Sequence, residues 1–463
     1  MPARFGGACL GSLSSVAAKS IAIGCIACAV KPETDIRVRL PDAWSQRYLH
    51  FGGGGFDGSI PNLNSPVMNV GRNPIAYGYA VAGSNGGHRS ADYPGASFAP
   101  DRALTLSYAT AAIYDTDVVA RAAIQTYYGN PAKYRYFAGC SNGGKNASVA
   151  AAVFIDDYDG IVGGDGVWGH SDDNMGGSEM SGMTAKWAVN VQATRAVPIS
   201  SAKGAAVRAA QFAACDANDG LADGILSNPE ACHFDPQVML CPGASNNSCL
   251  TQAEIDTVKL LRSDLKDANG RVIGAPYGLG DPSQANASTT ALSGGFVGMA
   301  FGVANYDLNT FDVNRDFPTL KTVLDNIYGM SGELPGLTDY LHKGKKLIIY
   351  HGWDDMLVQP YVSTRTYAAL QQSAGADASN ARLYMFPGMG HCAGGVGPDQ
   401  ADLISAITAW VESGTAPGTL VSAKLSGVAS PYKRPLCPYP QVPMYTGGPN
   451  TLFTSFTCRN VSQ

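Results

Sequence analysis

Tyr134-Arg135-Tyr136-Phe137-Ala138-Gly139-Cys140-Ser141-Asn142-Gly143-Gly144, followed by the small-residue run Lys145–Val153, decides how the rest of this chain is read. The aromatic first half has the composition of a short strand, and the run after Gly144 reads as a helix. Between them Gly139-Cys140-Ser141-Asn142-Gly143 fits G-x-S-x-G. In that pattern the serine sits on a strained strand-to-helix turn with no room for neighbouring Cβ atoms, so glycines are required on both sides. The turn exposes Oγ, and the new helix aims its N-terminal amides at developing negative charge. A bare G-x-S-x-G is common by chance, and an ordinary Gly-Ser turn fits the same five residues. Its place between strand and helix singles this one out.

A serine nucleophile needs a base. His391 lies in Phe386-Pro387-Gly388-Met389-Gly390-His391-Cys392, a glycine loop directly after a strand pattern. Asp355 lies in His351-Gly352-Trp353-Asp354-Asp355, again directly after an apolar strand, with Asp354 as the competing acid. Serine, aspartate and histidine in that chain order match the α/β-hydrolase order. The reading assigns Ser141 as nucleophile, His391 as general base and Asp355 as the acid that fixes the histidine tautomer. An oxyanion hole needs two backbone amides aimed at one spot. Asn142 supplies one, and Gly53 or Gly54 of the run Gly52-Gly53-Gly54-Gly55 supplies the other. A phosphate loop is a poor alternative for that run, because no Lys-Ser/Thr follows it. His351 and His88 read as structural. His50, His170, His233 and His342 have no catalytic neighbours in sequence, so a histidine metal centre has little support.

Outward from this segment the pattern is that of an α/β protein with a parallel sheet. Ile36–Leu40 alternates at period two, Ala76–Ala82 is a second strand, and Asp117–Tyr128 has helical periodicity. From Trp168 the character changes: Met, Gly, Ser and Asp become frequent, and helices at Lys203–Ala214 and Gln252–Lys266 are separated by irregular chain. A buried-strand pattern returns at Lys346–Tyr350, followed by a strand at Arg382–Phe386 and a helix at Asp399–Ser413. The expected organisation is an N-terminal segment over 1–30, read as a candidate signal remnant, and an α/β-hydrolase catalytic domain over 31–167 and 343–463. A lid domain over 168–342 is inserted in it. For the apolar stretch Ser20–Val30, a signal segment, a lipid anchor at Cys25 and a first strand are three open readings.

Charged residues make up only 15% of the 463, below the usual ~25%. With 55 Gly and 27 Pro, this is a turn-rich globular chain. Net charge is −5 with no basic stripe, which leaves a nucleic-acid partner without footing. No run of ~18 apolar residues is present, so no membrane span is expected. Eleven cysteines without zinc-ligand spacing read as disulfides, hence a secreted or periplasmic protein. Close pairs occur at Cys215/Cys232, Cys241/Cys249 and Cys437/Cys458, while Cys9, Cys25 and Cys28 contain a leftover thiol. Cys140 precedes the candidate nucleophile and Cys392 follows the candidate base. A bond between them would tie the two loops together, and a cysteine hydrolase using Cys140 is the competing reading.

Cys140-Ser141-x-Gly143-Gly144 with His391-Cys392 resembles the tannase and feruloyl esterase family. The resemblance extends through Leu40-Pro41-Asp42-Ala43-Trp44, Gly52–Phe56 and Asp157-Tyr158-Asp159-Gly160-Ile161, and spans about Leu40 to Cys458. It implies a disulfide between Cys140 and Cys392 beneath the triad, and Asp355 as the acid. It also implies hydrolysis of esters of hydroxylated aromatic acids, ferulate or gallate, through an acyl-enzyme. Such a substrate is a small aromatic ester, in some cases one attached to plant polysaccharide. Mono(hydroxyethyl) terephthalate hydrolysis is the rival within the family, and a non-catalytic binding module on a hydrolase fold is the rival outside enzymes.

Members of this family hold a calcium ion in the lid. The matching run is Cys215-Asp216-Ala217-Asn218-Asp219-Gly220-Leu221-Ala222-Asp223-Gly224-Ile225. Three carboxylates within eight residues repel one another unless solvent or a cation screens them, and alternating carboxylate and carbonyl oxygens suit a hard cation. By resemblance the ligands are the side chains of Asp216, Asp219 and Asp223 and the carbonyls of Leu221 and Ile225, closed by a Cys215–Cys232 bond. No organic cofactor is expected.

Overall fold

The computed structural model describes residues 23–64, 73–169, 179–285, 287–425 and 431–460. Eight strands form the main sheet: β1 (Ile23–Val30), β2 (Thr34–Pro41), β3 (Arg47–Phe51), β4 (Tyr79–Ser84), β5 (Tyr134–Cys140), β6 (Gly160–Gly164), β7 (Lys346–Gly352) and β8 (Ala381–Phe386). Their spatial order is β1-β2-β4-β3-β5-β6-β7-β8. β2 is antiparallel to both neighbours, and from β4 onward every pairing is parallel. Parallel strands covered on both faces read as continuous apolar runs, and β4 and β6 are buried along their full length. β2, nearer the edge, alternates as its sequence does, with Thr34, Ile36, Val38 and Leu40 turned inward.

Helices cover both faces. On one lie α1 (Ala112–Tyr128) and α2 (Asn142–Val153), in a core with Ile36, Val38, Phe137, Ile161 and Leu347. The segment between β6 and β7 contributes α3 (Met180–Ala196), α4 (Ser201–Cys215) and α5 (Ala287–Phe301), then α6 (Leu334–His342). α7 (Tyr361–Ser373) joins the first face, and α8 (Leu403–Ser413) packs Leu403, Ile407 and Trp410 on the other, against Tyr136, Val162 and Ile348. Met183, Trp187 and Val191 of α3 and Phe296 and Met299 of α5 form a second core with Phe98, Leu104, Tyr108 and Val358. The insertion is thereby seated on loops of the hydrolase core. α4 forms a smaller cluster with Met239, Leu250, Ile255 and Val258.

Two domain limits and two helix ends read from the sequence need correction. Ile23–Val30 is the edge strand of the main sheet, paired from Ile23 opposite Pro41 to Val30 opposite Thr34. Residues 23–30 therefore belong to the core, while 1–22 lie outside the described residues. α6, placed in the lid by the 168–342 boundary, packs Leu337, Tyr340 and Leu341 against Ala147, Ala150 and Ala151 of α2. These residues recur at helical spacing on one face, and that face belongs to the core. The helix expected over Gln252–Lys266 ends at Leu261, because Leu265–Lys266 pairs with Val272–Gly274. The helix expected from Asp399 begins at Leu403, where Asp402 caps it by accepting from the Ser405 amide at 3.0 Å.

Candidate active site

Ser141 stands at the end of β5 with φ 62° and ψ −121°, a conformation that a β-carbon disfavours. Its amide donates to Gly164 O at 2.9 Å, which ties the turn to β6. A Cβ on Gly52 would lie 2.6 Å from Gly143 Cα, so the glycine run after β3 lies directly on the first turn of α2. That contact brings Gly53 beside Asn142, whereas a Cβ on Gly54 would meet open space. Of the expected oxyanion residues, Asn142 directly follows the serine and Gly53 lies on the same turn, its carbonyl 2.8 Å from where a Cβ on Gly143 would stand; no contact among the described residues brings Gly54 to the serine.

His391 Nε2 lies 2.8 Å from Ser141 Oγ, and His391 Nδ1 lies 2.7 Å from Asp355 Oδ2. The other Asp355 oxygen accepts from the amides of Leu357 at 2.7 Å and Val358 at 3.0 Å, which fixes the carboxylate plane. Asp354 points elsewhere and pairs with Arg208 of α4 across the seam between core and insertion. Burial alone would raise the Asp355 pKa, but His391 and His351 beside it hold it well below the usual carboxylate range. Burial opposes charge on His391 as well, yet the Asp355 carboxylate outweighs it and lifts His391 to about 9, with Asp165 adding to the rise. Such an arrangement can take a proton from Ser141 Oγ, hold it as imidazolium and return it to a leaving group.

All eight cysteines assigned to pairs are bonded: Cys140–Cys392, Cys215–Cys232, Cys241–Cys249 and Cys437–Cys458. The first joins the residue before Ser141 to the residue after His391, and a Cys140 thiol is not available for nucleophilic chemistry. Cys9 lies outside the described residues, and so does the Cys25 side chain; Cys28 is buried.

Sequence reasoning missed three polar residues around this centre, the half-buried Asp57 and the buried Lys145 and Asp165. Asp57 accepts from Asn142 Nδ2 at 2.6 Å, and the Gly53 backbone packs on its carboxylate. Lys145, one helical turn after Ser141, donates to Tyr108 O at 3.1 Å and Ala109 O at 3.3 Å. Burial raises Asp57 to about 7 and lowers Lys145 to about 7, and their mutual attraction works against both shifts. Asp165, directly after β6, accepts from the Gly352 amide at 2.9 Å. Its signal was in the sequence: Asp165-Gly166 directly follows a strand that ends in Gly163-Gly164, as the Asp355 loop follows one that ends in Gly352. His351 is a buried scaffold residue as expected, with Nδ1 2.7 Å from Ser363 Oγ. His88 is buried against Phe98, its ring 4.2 Å away, and burial lowers it to about 4.

A cavity opens from Ser141 between core and insertion. Gly55, Tyr108, Asn142, Lys145, Val167, Met180, Met183, Trp187, Leu292, Phe296 and Val358 line it. Trp187 and Phe296 stack at 6.0 Å, and Phe56 closes behind them at 5.3 Å from Phe296. Aromatic rings and methionines of this kind favour a flat apolar group.

The acidic loop in the insertion is folded tightly. Asp216 Oδ2 accepts from the Gly224 amide at 2.7 Å, and Asp219 Oδ1 from the Leu221 amide at 3.0 Å. Asp223 Oδ2 pairs with Arg434 at 2.8 Å. Asp216 Oδ1 and Asp223 Oδ1 are buried and meet no hydrogen-bond donor among the described residues. Burial raises both Asp216 and Asp219, the latter to about 6. Among the described residues the oxygens of Asp216, Asp219 and Asp223 do not gather within 4.8 Å of one another, and only Asp216 Oδ1 and Asp223 Oδ1 are left without a donor.

Comparison with known proteins agrees with this architecture. Residues 22–459 match the family model described as tannase and feruloyl esterase. An uncharacterized esterase from Xanthomonas campestris pv. campestris is 30% identical over 90% of this chain and 80% of its own. A probable feruloyl esterase from Arthroderma benhamiae is 31% identical, over 90% of this chain and 81% of its own. Mono(2-hydroxyethyl) terephthalate hydrolase from Piscinibacter sakaiensis is 28% identical, over 92% and 81%. In fold, the chain matches the crystal structure of feruloyl esterase B from Aspergillus oryzae with a TM-score of 0.81 at 23% identity, covering 98% of this chain and 96% of that one. The strand order, the strained serine turn and a family match over nearly the whole length converge: this chain belongs to the tannase and feruloyl esterase family and is a carboxylic ester hydrolase.

Proposed function

We propose that the protein is a serine carboxylesterase that cleaves small esters of hydroxylated aromatic acids, of the ferulate or gallate type, through an acyl-enzyme. The observation that carries this reading is the chain of contacts from Ser141 Oγ to His391 at 2.8 Å and from His391 to Asp355 at 2.7 Å, at the mouth of an aromatic cavity. In the first half-reaction Ser141 Oγ attacks the ester carbonyl while His391 Nε2 takes its proton. The amides of Asn142 and of Gly53 or Gly54 receive the oxyanion. His391 then protonates the departing alcohol, leaving the acyl group on Ser141 with its ring in the cavity. Water, deprotonated by His391, reverses the sequence and frees the acid.

The similarity to mono(2-hydroxyethyl) terephthalate hydrolase supports a second reading, a terephthalate monoester as substrate. The cavity argues against it. Among the described residues Lys145 is the only charged one in its lining, and its amino group already serves two backbone carbonyls, so those residues offer a second substrate carboxylate no partner. Hydrolysis of methyl ferulate, methyl gallate and a terephthalate monoester by wild type and Ser141→Ala tests both readings. The expected result is turnover of an uncharged aromatic ester, lost by a factor of at least ~10³ in the variant. Hydrolysis that survives Ser141→Ala overturns the mechanism, and a preference for the terephthalate monoester overturns the choice of acyl group.

Calcium is proposed for the loop of Asp216, Asp219 and Asp223, with the carbonyls of Leu221 and Ile225. The orphaned oxygens of Asp216 and Asp223 support it. The ion would neutralise the loop and hold the Cys215–Cys232 region to the C-terminal strands through the Asp223–Arg434 pair. Its expected signature is a lower melting temperature in excess chelator that is restored by Ca²⁺; an unchanged melting temperature with no bound metal would rule it out. Four disulfides among the described residues support a secreted or periplasmic location. Fractionation of the source cells checks that location.

A further inference from the structure

We infer that Asp165 is a second carboxylate of the active site, a positioning residue that supports the same histidine as Asp355. This rests on the serine-hydrolase reading above. β6 and β7 are adjacent and parallel, with Gly164 in register with Tyr350, so residues that follow the two strands emerge side by side. Asp165 follows β6 directly, and its amide donates to Tyr350 O at 3.0 Å. Through Oδ1 it accepts from the Gly352 amide at 2.9 Å, at the start of the loop that delivers Asp355. One oxygen of Asp165, one of Asp355 and a ring nitrogen of His391 all lie within 4.8 Å of one another.

His351 sits between the two acids. Its Nε2 is 3.3 Å from Asp355 Oδ2, 3.6 Å from Asp165 Oδ1 and 3.2 Å from Val358 O. A carbonyl only accepts, so Nε2 carries a proton and presents it to this acceptor group. The second Asp165 oxygen lies 3.3 Å from Cys140 Sγ, which is bonded to Cys392 and has no hydrogen to donate. A residue kept only to bind the Gly352 amide would not need that oxygen, and burying it costs free energy. Both oxygens are explained if the charge is used. When the Ser141 proton reaches His391, the new imidazolium has two carboxylates near it rather than one.

The titratable groups facing Asp165 are His351 and Tyr350 of β7, Asp355 of the loop after β7 and His391 of the loop after β8. Burial pushes Asp165 up to about 7, against the pull of His351. Its charge therefore appears in the range where a serine hydrolase gains activity.

The test is kcat/KM for methyl ferulate against pH in Asp165→Asn, Asp355→Ala and the double variant, with a melting temperature for each. Asparagine keeps an acceptor for the Gly352 amide and tolerates the Asp165 φ of 44°. We expect Asp165→Asn to move the acid limb to lower pH, since His391 loses a carboxylate that favours its charged form. Asp355→Ala should retain about tenfold more activity than the double variant, because His391 keeps one acid. An unmoved acid limb, together with a double variant no slower than Asp355→Ala, overturns the proposal. Should Asp165→Asn not fold, Asp165→Ser takes its place in the same comparison: an unmoved acid limb, with Asp355→Ala no faster than its double variant with Asp165→Ser, is the contrary result. Ser141→Ala in the same assay separates failure of this proposal from failure of the serine mechanism.

Discussion

At Ser141 a φ of 62° holds Oγ out of the turn, where His391 Nε2 meets it at 2.8 Å. His391 must be neutral to accept that proton, and the Asp355 carboxylate, which outweighs burial, favours its charged form. The acid limb of kcat/KM is therefore expected above the ordinary histidine value of about 6.5, a result read from a pH–rate profile of the free enzyme. An acid limb below that value would contradict the electrostatics of the site. The same shift has a stability side. The His391–Asp355 attraction is fully present below the unfolded pKa and is lost as pH rises through the folded value of about 9. Asp355→Asn should lower kcat by about 10⁴ with a folded protein, because an amide donor selects the wrong tautomer of His391. Circular dichroism beside the kinetics distinguishes this from unfolding. The three residues were legible in the sequence because each follows its own strand in a glycine-containing turn. Asp165 follows a strand in the same way and was passed over, since three residues already completed the set.

Between elements, the glycine run after β3 and the first turn of α2 are clamped by Asp57. It binds the Asn142 side chain, carries the Gly53 backbone on its carboxylate and faces the buried Lys145. Asp57→Ala should lower kcat by about 10²-fold with little change in KM, since the loss falls on the oxyanion amides and not on ring binding. It should also lower stability, measured by denaturant unfolding, because the Asn142 side chain loses its acceptor and Lys145 loses a nearby acid. A proportional rise in KM with kcat unchanged would place Asp57 in substrate binding instead. Nothing local in the sequence announces this clamp: Asp57 and Asn142 are 85 residues apart. Local composition identified the glycine run as a backbone approach. What fixes that run to the helix is a long-range polar pair, visible only once β3 and β5 lie side by side.

On the scale of the whole molecule, one disulfide spans 252 residues and ties the serine turn to the histidine loop. A loop of that length makes the bond worth on the order of 3–5 kcal/mol. Cys140→Ser with Cys392→Ser should lower the melting temperature and lower kcat more than KM, because the loops that present Ser141 and His391 lose their tether. A double variant with wild-type kcat would show that the sheet alone sets the geometry. The sheet order was implicit in the sequence through the Ser, Asp, His order and the strand patterns before each. The limits of the insertion were not. α6 is amphipathic, and an isolated helix does not reveal which of two cores its apolar face meets. The edge strand at Ile23–Val30 was obscured for a related reason, since an apolar run of that length suits a signal segment as well as a strand.

The central claim is that Ser141 forms the covalent intermediate. Treatment with a fluorophosphonate followed by peptide mass analysis tests it most directly. The account predicts one adduct per chain, on the peptide that carries Ser141, with loss of methyl ferulate hydrolysis in proportion to labelling and no adduct in Ser141→Ala. Full activity in a protein that takes no label at Ser141, or labelling elsewhere that abolishes activity, would contradict it.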